Sequence, residues 1–75
     1  METAVFKSYR KGYYTFEFDN GEDMVFEEVH PKVLSQYKLK EDESLIGMEF
    51  KLTFSEVYTD DDDLVIYRIE SLKLI

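Results

Sequence analysis

The sequence predicts a mainly β domain: a small five-stranded barrel in the order β-β-β-α-β-β, with one short helix between the third and fourth strands. Three observations predict it. Apolar and polar residues alternate with a period of two, most cleanly in YYTFEFD and MEFKLTFSEVY, as half-buried strands require. One segment of helical period, PKVLSQYKL, interrupts this pattern midway along the chain. Six Phe and six Tyr stand among 75 residues, and each ring can bury roughly 150–250 Å². That helps a chain this short assemble a core when only about 60% of its unfolded surface can be buried.

Each element follows from local chemistry. Residues 3–10, TAVFKSYR, are rich in β-branched, apolar and aromatic side chains and read as a first strand. Lys11-Gly12 supplies a turn. In residues 13–19, Tyr14, Phe16 and Phe18 fall on one face and Tyr13, Thr15 and Glu17 on the other. Asn20-Gly21 is a two-residue hairpin signal, because both positions tolerate positive φ, and Glu22 and Asp23 widen the loop. Residues 24–29, MVFEEV, return as a third strand. His30-Pro31 then marks a helix entry, since proline is accommodated in the first turn. Val33, Leu34 and Tyr37 form the helix's apolar face. KEDES reads as a charged loop.

Residues 48–58 form the fourth strand, with Met48, Phe50, Leu52 and Phe54 inward. The apolar parity slips after Phe54, which predicts a bulge near Ser55-Glu56. Asp60 to Asp63 make a solvated turn that also protects the strand edges. Residues 64–75, LVIYRIESLKLI, form a long last strand whose parity is less regular. The whole of residues 1–75 is one domain.

Composition narrows the function classes. There is no cysteine, which removes disulfides and thiolate metal sites and favours a cytoplasmic setting. METAVFKSYRKG contains no apolar stretch of signal-peptide length, and no apolar run is long enough to cross a membrane as a helix. The net charge is −8, which opposes the approach of polyanions. TDDDD lacks the ligand spacing of a calcium-binding loop. His30 is the only histidine. Although Glu27 and Glu28 lie nearby, a strand places those two on opposite faces. With no cysteine and one histidine beside a proline, no nucleophile–base pair is legible. The sequence therefore predicts neither an enzyme, a metal site nor a cofactor.

Strand two begins Lys11-Gly12-Tyr13-Tyr14-Thr15-Phe16 and strand three holds Val25-Phe26-Glu27-Glu28. In these residues, and in the spacing of its strands, the chain resembles the cold-shock branch of the OB-fold superfamily. That branch carries a K-G-aromatic-G-aromatic motif on strand two and V-F-x-H on strand three. The resemblance covers about three strands and implies a partly open five-stranded Greek-key barrel with a nucleic-acid-binding face on strands two and three. Lys11, Gly12 and Tyr13 match. Tyr14 stands in place of the second glycine, Thr15 in place of the second stacking aromatic, and Glu28 in place of the histidine.

Two functions are thereby weighed. Between Gly12 and Pro31 the chain has six carboxylates and no Lys or Arg, whereas single-strand binding combines stacking with a positive groove. The leading expectation is accordingly a protein- or peptide-binding module, using Tyr13, Thr15, Glu17, Glu27 and Glu28, that exists as a monomer or a weak homodimer. The alternative is a divergent single-stranded nucleic-acid binder relying on Tyr9, Lys11, Tyr13 and Phe26.

Overall fold

A computed structural model describes residues 2–60 and 64–75. Its strands are β1 (Glu2–Arg10), β2 (Tyr13–Phe18), β3 (Asp23–Phe26), β4 (Glu28–Val29), β5 (Glu49–Tyr58) and β6 (Val65–Leu74). A six-residue helix, α1 (Pro31–Gln36), and a single 3-10 turn, Glu43–Leu45, lie between β4 and β5. All six strands belong to one sheet in the order β3-β2-β1-β5-β6-β4. Asp61 to Asp63, three of the four residues expected in the acidic turn, lie outside the described residues.

In place of the five-stranded, partly open barrel expected from the sequence, the described residues form six strands in one sheet that does not close. The segment predicted as a single third strand is divided at Glu27. Upstream of it, β3 pairs antiparallel with β2. Downstream, β4 pairs parallel with β6, Glu28 opposite Arg68 and Val29 opposite Ile69. The Glu27 N–H donates to the Tyr67 carbonyl at 3.1 Å, and the His30 N–H donates to the Ile69 carbonyl at 2.8 Å. The backbone thus exchanges one neighbour for another within a few residues. The two edge strands of the sheet are consecutive in the chain but are not joined by a ladder.

Turn chemistry accounts for both hairpins. Lys11 and Gly12 have φ of 51° and 86°, the positive-φ pair that follows the right-handed twist of a tight hairpin. The second hairpin has the wider loop expected there, and of Asn20 and Gly21 only Gly21 has positive φ (86°). There the Gly21 N–H donates to the Phe18 carbonyl and the Phe18 N–H to the Glu22 carbonyl, both at 2.8 Å. This is the longer hairpin loop, a turn followed by a left-handed glycine. Asn20 Oδ1 accepts the Glu22 N–H at 2.9 Å, a local bond typical of Asn in turns.

Two bulges reset the alternation. Phe6 pairs with Phe16 but Ser8 with Thr15, so Lys7 is an extra residue in β1. Thr53 pairs with Ser71 but Phe54 with Ile69. The bulge predicted on β5 near Ser55-Glu56 therefore lies on β6, at Glu70. It explains the irregular last strand: Ile69 and Leu72 are both buried although three positions apart. Met48, expected inward, is 40% exposed. It precedes β5, its N–H bonded to the Leu45 carbonyl and its carbonyl to the Phe6 N–H, so the strand's alternation does not extend to it.

The core is largely aromatic. Phe6, Phe16, Phe26 and Phe50 are fully buried. Phe16 stands edge-on to Phe26 and Phe50, with centroids 5.8 and 6.2 Å apart, the geometry that aromatic quadrupoles favour. Phe18, Phe26, Phe54 and Tyr67 continue the cluster between β3 and the β5–β6 hairpin. Helix α1 buries Val33 and is capped by His30, whose Nδ1 accepts the Lys32 N–H at 3.0 Å. Tyr37 sits edge-on to Phe50, and its hydroxyl accepts the Leu74 N–H at 3.0 Å. No helix among the described residues is long and apolar enough to cross a membrane.

Because Phe26 is fully buried against Phe16 and Phe18 of β2 and Phe54 of β5, Phe26→Ala is expected to destabilise the domain by about 3–5 kcal/mol. Urea denaturation measures this, and an unchanged midpoint would remove Phe26 from the core.

Candidate functional site

The outer face of β1, β2 and β3 follows from the alternation of β2. Tyr14 and Phe16 turn inward, so Tyr13, Thr15 and Glu17 turn outward. Across the ladders Tyr13 pairs with Arg10, Thr15 with Ser8 and Val25, and Glu17 with Val5 and Asp23. Tyr13 is 50% exposed and Val25 43%, which places two large apolar groups on the same open face. Lys7 Nζ approaches Glu17 Oε1 at 3.5 Å. Both side chains are nearly half exposed, so this pair contributes at most a fraction of about 1 kcal/mol.

Of the residues the sequence singles out, Tyr13, Thr15 and Glu17 share this face, and Lys11 is exposed in the adjoining turn. Three others are placed differently. Phe26 is fully buried and has no face on which a base could stack. Tyr9 packs against the core, its ring 4.8 Å from that of Tyr14. Glu28 belongs to β4, beyond the handover at Glu27, and five residues past Asp23, the partner of Glu17. An extended chain covers about 17 Å in five residues. Glu28 instead grips Arg68, its Oε2 accepting from Nε at 2.9 Å and lying 2.8 Å from Nη2. Arg68 Nη1 also lies 3.9 Å from Glu70, which accepts a hydrogen bond from the Ser55 hydroxyl. A guanidinium shared between two carboxylates is well oriented. At 35–45% side-chain exposure for Arg68 and Glu28 the pair remains solvent-screened and contributes about 1 kcal/mol or less.

A second feature was not legible in the sequence. Beside the handover lies an open cleft of about 540 Å³, lined by Tyr14, Glu27, Glu28, Val29, His30, Pro31, Leu34, Lys40 and Arg68. These residues come from β2, the β3–β4 junction, α1, the loop after it and β6. Only the parallel pairing of β4 with β6 brings them together, and no local motif announces such a pairing. Tyr14 is 3% exposed, yet it borders the cleft, and its hydroxyl has no hydrogen-bond partner among the described residues. Burial pushes the Tyr14 phenol above its ordinary value, and the neighbouring Tyr9 adds to the shift. No group of three or more His, Asp or Glu side chains among the described residues could hold a metal ion.

No family model matches the sequence, and no curated protein or solved structure matches the chain.

The Tyr14 shift has a signed consequence. Its folded-state pKa lies above the ordinary 10.0, so the folded protein holds this proton more tightly than the unfolded chain. The associated stability is complete below about pH 10 and is lost as the pH rises through the folded pKa. Alkaline denaturation should therefore be less steep in Tyr14→Phe than in the parent protein, and a spectrophotometric tyrosine titration should lose its highest-pH component. Loss instead of a component in the ordinary tyrosine range would show that Tyr14 ionises as a surface tyrosine does.

Proposed function

We propose that this chain is a non-catalytic acidic binding module that recognises a basic protein or peptide segment on the outer face of β1, β2 and β3. In this reading it is an OB-like domain. Taking β3 and β4 as one strand interrupted at Glu27 gives five strands, with the helix following the third and the fifth running parallel to the third. The observation that carries the function is the division of the β2–β3 aromatics. Tyr14, Phe16 and Phe26 are buried, and Tyr13 alone is exposed, on a face that also carries Val25 and the carboxylates Glu17 and Asp23. One exposed ring and one apolar side chain within an acidic surround suit a basic, partly apolar segment. Complementary charge then chiefly accelerates encounter and sets specificity. The cysteine-free composition favours a cytoplasmic setting, and the module acts as a monomer or a weak homodimer. A non-catalytic role is favoured because the sole histidine uses Nδ1 to cap α1 rather than to activate a hydroxyl.

One specific observation favours the nucleic-acid alternative. Arg10 and Lys11 adjoin the exposed Tyr13, and Lys7 lies on the same strand as Arg10. Two titrations at low salt separate the readings, one with a labelled basic peptide and one with a labelled single-stranded oligonucleotide. The module should bind the peptide, and Tyr13→Ala should weaken it by about 1–2 kcal/mol, the size of an aromatic anchor at an interface. Tight oligonucleotide binding that falls steeply with salt would replace this proposal with the alternative.

A further inference from the structure

Two of the four charged side chains bordering the Tyr14 cleft are already engaged. Glu28 and Arg68 neutralise each other, and Arg68 also faces Glu70. His30 has one ring nitrogen committed to the Lys32 N–H. Glu27 and Lys40 remain, neither with an ion-pair partner among the described residues. They differ in setting: Glu27 is half-buried at the strand junction, whereas Lys40 is exposed on the loop after α1. Glu27 is also fixed to the sheet by its N–H bond to the Tyr67 carbonyl, which makes its carboxylate the better placed of the two to meet a charged partner. A solvated lysine on a flexible stem can move aside. Tyr14 and Glu27 line the same cleft, the Tyr14 hydroxyl has no hydrogen-bond partner among the described residues, and a phenol oxygen readily accepts from a cationic donor. Val29, Pro31 and Leu34 provide apolar wall for an aliphatic stem.

We infer that this cleft receives a basic side chain, a guanidinium or ammonium group, whose charge is met by Glu27 and whose N–H bonds to the Tyr14 hydroxyl. The inference rests on the reading of the chain as an acidic module for basic partners, and it names a second contact point for such a partner, around the strand junction from Tyr13. The chain's net charge of −8 raises the local concentration of cations and lowers that of anions.

The probe is arginine blocked at both termini, with blocked citrulline as its neutral isostere, titrated into the full chain and followed by amide chemical shifts. Blocked arginine should shift the amides of residues 27–30, 40 and 68, and citrulline should not. Glu27→Gln should weaken arginine binding about five- to tenfold, as loss of a charge-assisted contact in a partly solvated site implies. Tyr14→Phe, which keeps the buried ring, should weaken it about two- to fivefold. Lys40→Ala should tighten it about twofold, because a nearby like charge is removed. Weaker binding of blocked arginine by Lys40→Ala would overturn the inference, since the lysine would then be part of the contact rather than a competing like charge. If a basic peptide shifts Tyr13, Thr15 and Val25 and its affinity ignores Glu27→Gln, the cleft inference falls while the module reading stands. If neither blocked arginine nor the peptide binds, both fall.

Discussion

The structure depends on a change of hydrogen-bonding partner at Glu27. A backbone N–H or C=O that leaves one ladder must find another acceptor or donor, or water, because a buried unpaired group is costly. Here β3 leaves β2 after Phe26, and the Glu27 and His30 N–H groups reach the Tyr67 and Ile69 carbonyls. Those bonds tie residues about forty positions apart in sequence. They align Glu28 with Arg68, deliver Pro31 to the start of α1 beside β6, and leave a cleft where the chain turns from one neighbour to the next. Without the handover, β4 would have no partner in the sheet.

The second constraint is size. A domain of 75 residues has little interior, and it is filled with rings rather than with many small side chains. Phe6, Phe16, Phe26 and Phe50 interlock at centroid distances of 5.1–6.2 Å. Rings buried in this way are unavailable for stacking on a ligand. The same hairpin cannot both seal a small core with Tyr14, Phe16 and Phe26 and display them as a platform, and in this chain the core takes them. What remains outside is Tyr13 and Val25 among carboxylates, and on that division the proposed preference for a basic peptide rests.

The two bulges show how local backbone irregularity shapes the surface. Lys7 in β1 and Glu70 in β6 are each an extra residue opposite a single partner. Such insertions bend and twist a strand. β1 pairs with β5 through its first residues and with β2 along most of its length, and the Lys7 bulge lies where β5 pairing gives way to β2 alone. The Glu70 bulge brings Ile69 and Leu72 to the same side and sets Glu70 near Ser55 and Arg68. Lys7 leaves its inserted position in solvent, whereas Glu70 is held by Ser55 and Arg68.

The period-two alternation of Tyr13 to Phe18, the glycines at 12 and 21, and the proline after His30 identify strands, turns and the helix start by local chemistry alone. A side chain's face and a turn's φ depend on neighbours one to four residues away. The outward position of Tyr13, Thr15 and Glu17 and the burial of Val33 were therefore legible. Pairings between distant segments were not. The division of the third strand, the displacement of the bulge from β5 to β6, the burial of Phe26, the capture of Glu28 by Arg68 and the cleft around Tyr14 all follow from which strands lie side by side. Only the tertiary structure decided them, because partner choice is set by closing a shared core across the whole chain, and alternation within one segment carries no record of its neighbour.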